Sequence, residues 1–327
     1  MDDKTKQLIQ LFSNGNRRVL SRVISLVENE DPGATAILKH FNSRMGRAHR
    51  VGITGPPGAG KSTLVNCLVQ CFRSRDCSVA VLAVDPTSPF TGGALLGDRI
   101  RMSGILLDQD VFMRSMASRG STGGLARTTS EVADVLDAFG FDVIIVETVG
   151  VGQLELDVAG AVDTTVVVLV PEAGGNVQAM KAGLIEIADI FVVNKADREG
   201  AEHQRQDIEE SLGLRPDSDP GQWKIPILKT VALFEKGVDQ LTDSIVEHLS
   251  HLQERNQLAE RRALQKKRKI IAIMKSMMER KLWGNHRYES LLEELSRQCI
   301  RGSIDPFTAA SSFLKRARVD DLEPVRY

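Results

Sequence analysis

The chain has 327 residues, of which 42% are hydrophobic and 26% charged, with a net charge of −1. That balance suits a soluble globular protein of one large domain with appendages, or of two domains. It offers no global field to draw the chain to nucleic acid or an anionic membrane, so neither is expected as a partner.

The start, "MDDKTKQLIQLF", lacks a basic leader with an apolar core. No apolar run reaches the roughly 18 residues of a bilayer-spanning helix. Residues 5–45 read as helical, with Leu8, Ile9, Phe12, Val19, Leu20, Val23, Ile24 and Val27 near helical spacing and a break at "EDPG" (30–33). From about 50 to 230, short β-rich runs alternate with helical stretches. The strand candidates are 50–54, 78–84, 111–115, 142–147, 164–170, 189–194 and 224–229. Several are apolar without alternation, as in strands covered on both faces. The β-α-β order predicts an α/β fold with a mostly parallel central sheet and right-handed crossovers.

"GPPGAGKST" (55–63) sits between the strand "RVGIT" and the helix "STLVNCLVQCF" and fits G-x-x-x-x-G-K-[ST]. In this phosphate loop the glycines, Gly55, Gly58 and Gly60, would let backbone N–H groups converge on phosphate oxygens at a helix N-terminus, and Pro57, Ala59 and Thr63 are further nucleotide-binding positions. Lys61 would neutralise the β- and γ-phosphates, and the Ser62 hydroxyl would hold Mg²⁺. The plain alternative, a glycine-rich turn with a chance lysine, does not explain the strand and helix on either side.

The four cysteines, Cys67, Cys71, Cys77 and Cys299, form no Cys-x-x-Cys pair. Cys67 and Cys71 are four apart on the predicted helix, where a buried apolar role outweighs a metal role. This usage suits a reducing, cytoplasmic compartment.

"DVIIVETVGVGQ" (142–153) ends a buried strand in Glu-Thr-Val-Gly, where many GTPases carry Asp-x-x-Gly. Glu147 fits a carboxylate near Mg²⁺, Gly150 an amide near the γ-phosphate, and Gln153 is a candidate for orienting water. "NKAD" (194–197) ends a further strand. Asp197 can accept from guanine N1–H and the 2-amino group, Asn194 can bond the base or the loop, and the Lys195 stem can lie over the base plane. "TVALFEKGVDQL" (230–241) stands where GTPases place a second base loop of Ser-Ala type. Val231 replaces the serine, leaving Ala232 as a backbone contact.

After about 240 the strand signals stop. "VDQLTDSIVEHLSHL" is an amphipathic helix, and residues 251–281 hold ten Lys/Arg against three Glu. Ile270, Ile273, Met274, Met277 and Met278 form an apolar stripe there. That stripe favours an arm packed on a partner subunit over a basic nucleic-acid helix. "YESLLEELSRQCI" forms a second helix. The expected layout is an N-terminal helical segment (1–48), a P-loop core (49–250) and a C-terminal helical dimerisation arm (251–327).

"TGPPGAGKST", "VDPTSPFTGGALLGDRIRM", "SRGSTGGLARTTSE", "ETVGVGQLELD", "GGNVQAMKAGLIEIADIFVVNKAD" and "KTVALFEKGVDQL" together resemble the methylmalonyl-CoA-mutase-associated GTPases (MeaB/ArgK type, including the mitochondrial cobalamin-A protein), within the SIMIBI class of P-loop GTPases. The resemblance covers about 50–241. It implies a homodimeric, Mg²⁺-dependent GTPase cycling between GTP and GDP. It also implies a partner, a cobalamin-dependent acyl-CoA mutase, whose cofactor loading and rescue the GTPase would gate.

Carried over by position, Asp85, Asp98 and Glu147 match the acidic Mg²⁺-site residues, and Lys181 matches a mobile-loop lysine that approaches the nucleotide. The stretch 84–102 then resembles a first switch with Gly92 and Gly93 as a hinge. Leu154, Thr122 and the missing acidic pair near Asn176 depart from the family pattern and bear on partner coupling. Two other readings compete. A nickel or cobalt metallochaperone GTPase would carry a Cys-rich or Cys/His metal motif, and none is written here. A transport-associated protein kinase would need a protein acceptor.

Overall fold

The computed structural model describes residues 3–85, 108–117, 122–148, 159–171, 183–213, 221–283 and 286–317. Seven strands form one sheet: β1 (His49–Thr54), β2 (Val79–Asp85), β3 (Val111–Ala117), β4 (Val143–Thr148), β5 (Thr164–Leu169), β6 (Ile190–Val193) and β7 (Ile227–Lys229). Their spatial order is β3-β2-β4-β1-β5-β6-β7, and every neighbouring pair is parallel. All seven sequence-predicted strands are present. β4, β5 and β6 are buried along their whole length, which is why their sequences run apolar without alternation.

The helices are α1 (Asp3–Ser13), α2 (Arg17–Glu28), α3 (Pro32–Phe41), α4 (Lys61–Arg73), α5 (Thr122–Phe139), α6 (Ala201–Gly213), α7 (Val238–Glu254), α8 (Gln257–Trp283), α9 (His286–Ile300) and α10 (Pro306–Arg316). The N-terminal stretch breaks twice rather than once. Asp31 caps α3 by accepting from the Gly33 amide at 2.7 Å, with Pro32 in its first turn. The additional break lies at 14–16, where Asn16 caps α2 by accepting from the Arg18 and Val19 amides at 3.1 and 3.2 Å.

Side chains of α1–α3 and α5 share one core with Ala80, Leu82 and Val84 of β2 and Ile144 and Val146 of β4. The alternate residues Val79, Val81, Val143 and Ile145 point to the other face, against α4 and α7. The chain divides into two compact units, Met1–Gln265 and Lys266–Tyr327. In the second, Leu295, Phe313 and Ala317 form a small core with Leu282, Tyr288 and Leu291. There Asp305 caps α10 through the Phe307 and Thr308 amides.

The amino edge of the sheet is held by a buried polar lattice in the first unit. Asp137 accepts from the amides of Gly46, Arg47 and Ala48 at 2.7, 3.1 and 3.1 Å and from Arg50 at 2.9 Å. Asp163, fully buried, accepts from the Arg50 amide at 3.0 Å and from Arg262 Nε and Nη2 at 2.9 and 2.7 Å. Arg261 grips both oxygens of Asp189 at 3.0 Å. Thr164 Oγ1 hydrogen-bonds His49 Nε2 and His248 Nδ1, each at 2.8 Å.

Burial pushes His49 down to about 4, despite the opposing Asp163 charge, and pushes His248 down to about 3 with Arg261 adding to the effect. Burial alone would raise the Asp163 carboxyl. The hydrogen bonds and charge of Arg262 outweigh it and hold that carboxyl below its ordinary value.

Both rings bind a proton more readily in the unfolded chain, where their value is 6.5. Their contribution to stability is therefore complete above pH 6.5 and falls as the pH drops toward 4, by about 1.4 kcal/mol per pH unit for each ring. Asp163 loses its contribution only at lower pH, below the ordinary carboxylate value of 3.8. Urea unfolding between pH 6.5 and 4.5 measures this slope. His248→Gln is expected to reduce it by about 1.4 kcal/mol per pH unit, and an unchanged slope would refute the assignment.

Candidate functional site

In an open parallel sheet, ligands bind beyond the carboxyl ends of the strands, where neighbouring connections leave in opposite directions. Here that point lies between β1 and β5. The chain leaves β1 toward β2 on one side and leaves β5 toward β6 on the other. The phosphate loop follows β1 at this point.

Two glycines explain the loop's path. Gly55 has φ of +139°, and a Cβ there would lie 2.0 Å from the Val168 carbonyl oxygen of β5. Gly60 is left-handed at φ +85° and begins α4, and a Cβ there would lie 2.4 Å from Asn194 Nδ2. Both positions exclude any side chain. Pro57 and Gly58 are exposed at the loop's outer turn, and Ala59 is buried beneath it. Ser62 and Thr63, in the first turn of α4, are half-buried.

Lys61 is buried, and its ammonium donates to the carbonyls of Gly55 at 2.7 Å and Pro56 at 2.9 Å. Ser62 Oγ donates to Glu147 Oε1 at 2.6 Å. Glu147 is 3% exposed at the end of β4, and Thr148 next to it donates to Thr54 Oγ1 at 3.0 Å. A hydroxyl and a carboxylate this close form a pair of hard oxygen donors beside a phosphate loop. That donor set fits Mg²⁺, which prefers one or two carboxylates together with phosphate oxygens. The glycine turn and the helix N-terminus fit a nucleotide polyphosphate.

Asn194 joins three loops. Its amide Nδ2 donates to the Ala59 carbonyl of the phosphate loop at 2.8 Å. Its Oδ1 accepts from Thr230 Oγ1 at 3.0 Å and from the Ala232 amide at 3.2 Å. The side chain is 2% exposed, so it serves the loops. Lys195 is left-handed at φ +55°, and Asp197 is exposed. The Ala196 amide donates to the Thr230 carbonyl at 3.0 Å, closing the "NKAD" turn against the segment after β7.

Ala232 is buried. Its carbonyl accepts from Cys67 Sγ at 3.2 Å, and burial pushes the Cys67 thiol up to about 11. Burial and the Asp239 contact also raise the Cys71 thiol. Among the described residues, no group of three or more His, Cys, Asp or Glu side chains is arranged to hold a metal.

The structure thus brings Gly55–Thr63, Glu147, Asn194–Asp197 and Ala232 to one sheet edge. Asp85 is the last residue of β2 and pairs with Ala117 of β3. Thr122 is the first residue of α5. Asp98, Gly150, Gln153, Leu154, Asn176 and Lys181 lie outside the described residues. Thr230 escaped sequence reasoning. Its only signal is its place just before the Val231-Ala232 pair.

A family model described as methylmalonyl Co-A mutase-associated GTPase MeaB matches residues 20–287. A putative GTPase of Pyrococcus horikoshii is 46% identical over 311 residues, covering 95% of this chain and 97% of that one. The mouse protein called methylmalonic aciduria type A homolog, mitochondrial, is 34% identical over 273 residues, covering 81% of this chain and 65% of that one. Among solved structures, one described as an LAO/AO transport system kinase superposes with a TM-score of 0.71 at 26% identity, covering 96% of this chain and 98% of that one.

Asn194→Ala would leave the Ala59 carbonyl, the Thr230 hydroxyl and the Ala232 amide without their shared partner. It is expected to cost about 2–4 kcal/mol in urea unfolding, since each buried orphan group costs about 1–3 kcal/mol. Thr230→Val removes one of these bonds and is expected to cost about 1 kcal/mol. Equal losses in the two variants would show that Asn194 does not unite the loops.

Proposed function

The chain belongs to the methylmalonyl Co-A mutase-associated GTPase (MeaB) family, and from that premise we propose that it is a Mg²⁺-dependent GTP hydrolase serving a cobalamin-dependent acyl-CoA mutase. The observation that carries the reading is the phosphate loop, the Ser62–Glu147 oxygen pair and the "NKAD" turn meeting at one sheet edge through Asn194.

The reaction is in-line attack of water on the γ-phosphate, for which the protein supplies mainly position and charge. Lys61 exchanges its two carbonyl acceptors for β- and γ-phosphate oxygens, whose negative charge the ammonium offsets directly. Ser62 and Glu147 would hold Mg²⁺, with Asp85 and Asp98 in its acidic surroundings, and the cation would supply neutralising charge for the phosphate oxygens. Gly55, Pro57, Gly58, Ala59, Gly60 and Thr63 line the phosphates, and Gly150 meets the γ-phosphate. Gln153 or Lys181 assists the attack, the first by orienting water and the second by offsetting developing charge. Asp197 reads guanine, the Lys195 stem covers the base, and Ala232 supports the base loop.

The same reading makes the protein a cytoplasmic chaperone that gates cofactor loading of the mutase and restores it after inactivation. Ile270, Ile271, Met274 and Met278 are exposed on α8. Covering such a stripe is the task of a second copy, which supports a homodimer with residues 251–327 as its arm. The likeness to a solved structure described as a transport system kinase favours one competing reading, phosphoryl transfer to a protein. Labelled GTP separates the two, because a hydrolase releases labelled phosphate and leaves any protein acceptor unlabelled.

Lys61→Ala is expected to abolish tight GTP binding in calorimetry, and normal affinity would refute the phosphate-loop role. Asp197→Asn is expected to exchange preference for GTP for preference for xanthosine triphosphate. For the partner, pull-down with acyl-CoA mutases followed by a GTPase assay of the mixture should recover a mutase that raises the hydrolysis rate. Absence of both binding and stimulation would overturn the chaperone reading.

A further inference from the structure

β3 is an edge strand, with β2 on one side and no strand on the other among the described residues. Its free side is held by the N-terminal helices. The Asp110 carbonyl faces β2 and accepts from the Val79 amide at 2.8 Å. Carbonyls alternate along a strand, so the next one, of Val111, faces away from the sheet. Arg17, the first residue of α2, donates to it at 2.7 Å. Further along β3, Arg114 meets the other end of α2. Its Nε donates to Glu28 Oε1 at 3.0 Å, and its Nη2 donates to Glu28 Oε2 and to Ser25 Oγ, the latter at 3.1 Å. Two residues past Glu28, left-handed Glu30 accepts from Arg127 of α5, which also donates to Glu131 at 3.1 Å. The corner at 28–30 thus grips both β3 and α5.

The use of an ion pair under α2 is informative. Arg114 shares its face of the strand with Phe112 and Met116, both buried in the core that α2 covers. An apolar side chain would pack there, and exchanging a buried ion pair for apolar residues of similar volume is often neutral or stabilising. Apolar contact is non-directional. A two-pronged guanidinium–carboxylate contact also fixes position. What the pair adds is placement of β3 against α2. Register carries that placement to the site. Arg114 pairs with Leu82, and three residues later Ala117 pairs with Asp85, the last residue of β2. We propose that Glu28 and Arg114 are positioning residues, through which the N-terminal segment sets where the Asp85 end of β2 stands relative to the bound cation. The Glu30–Arg127 contact holds the following helix to the same corner. This rests on the reading above that sets Asp85 beside Mg²⁺.

Calorimetry of a non-hydrolysable GTP analogue on the full chain, in EDTA and across a Mg²⁺ series, tests the inference. Glu28→Leu combined with Arg114→Met replaces the pair by apolar side chains and is expected to leave the urea midpoint no lower. The Mg²⁺ concentration giving half of the Mg²⁺-dependent gain in affinity is expected to rise about tenfold, the low end for residues behind a metal ligand. Affinity in EDTA is expected to stay the same, because the phosphate loop and the "NKAD" turn are untouched. Arg114→Lys keeps the charge without the fork and is expected to give a smaller rise. A purely structural pair predicts the opposite pattern, a changed urea midpoint with an unchanged Mg²⁺ series. An unchanged Mg²⁺ series in both variants would overturn the inference, as would an equal loss of affinity in EDTA and in saturating Mg²⁺. Asp85→Asn separates two ways of failing. If it raises the Mg²⁺ requirement while neither Arg114 variant does, the Mg²⁺ reading stands and only the positioning role falls. If Asp85→Asn leaves the Mg²⁺ series unchanged, the reading of Asp85 falls and the inference falls with it.

Discussion

One buried amide governs the geometry of the nucleotide edge. Asn194 spends both ends of its side chain on backbone and hydroxyl partners in two other loops, so three segments far apart in sequence move as one. The contact also dictates sequence at a distance. Position 60 must be glycine because a Cβ there would collide with the Asn194 amide, and the left-handed conformation of Gly60 is the one that begins α4. With the loops joined in this way, the phosphate loop and the "NKAD" turn are held at one spacing by buried hydrogen bonds. That spacing is what electrostatic preorganisation requires.

The two edges of the sheet divide the work. At the amino edge, carboxylates of Asp137, Asp163 and Asp189 each meet guanidinium groups, and Asp137 and Asp163 also meet backbone amides. Two neutral histidines share one threonine hydroxyl there. The result is a dense polar lattice that holds the first turns of α8 to the first unit, because Arg261, Arg262 and Gln265 all lie on that helix. At the carboxyl edge, buried Lys61 donates to two backbone carbonyls and buried Glu147 accepts from the Ser62 hydroxyl, so the groups gathered there are ones that also suit phosphate and a hard cation.

Periodicity explains what could be read in advance. All seven strands were legible as short β-rich runs, and β4, β5 and β6 read as apolar without alternation because both faces of the sheet are covered there. The phosphate loop and the "NKAD" turn were legible because local backbone geometry and ligand chemistry demand particular residues at fixed spacing. The break before α2 was harder. Asn16 and Gly15 form a cap within an otherwise helical pattern, and a polar dipeptide is a weaker signal than "EDPG". The α10 helix carries a clear Asp305-Pro306 start, yet of its large apolar residues Phe313 is buried while Phe307 and Leu314 are exposed, so no long core-facing stripe marks it. The amino-edge lattice was illegible. Its bonds join residues 72 to 115 positions apart, and no local pattern encodes them.

The Asn194 hub and the Leu233–Phe234 pair show opposite ways in which a sequence can mislead. A motif asparagine suggests a residue turned toward ligand, yet its burial and saturated bonding give it to the scaffold. An apolar Leu-Phe pair after a buried strand suggests core, yet the Val231–Lys236 bridge and left-handed Glu235 turn both side chains out. An exposed apolar pair is ordinary when solitary and mobile. Held by a braced turn that is hydrogen-bonded through Thr230 to the "NKAD" turn, this pair is exposed by the way the backbone is built and not by want of structure around it.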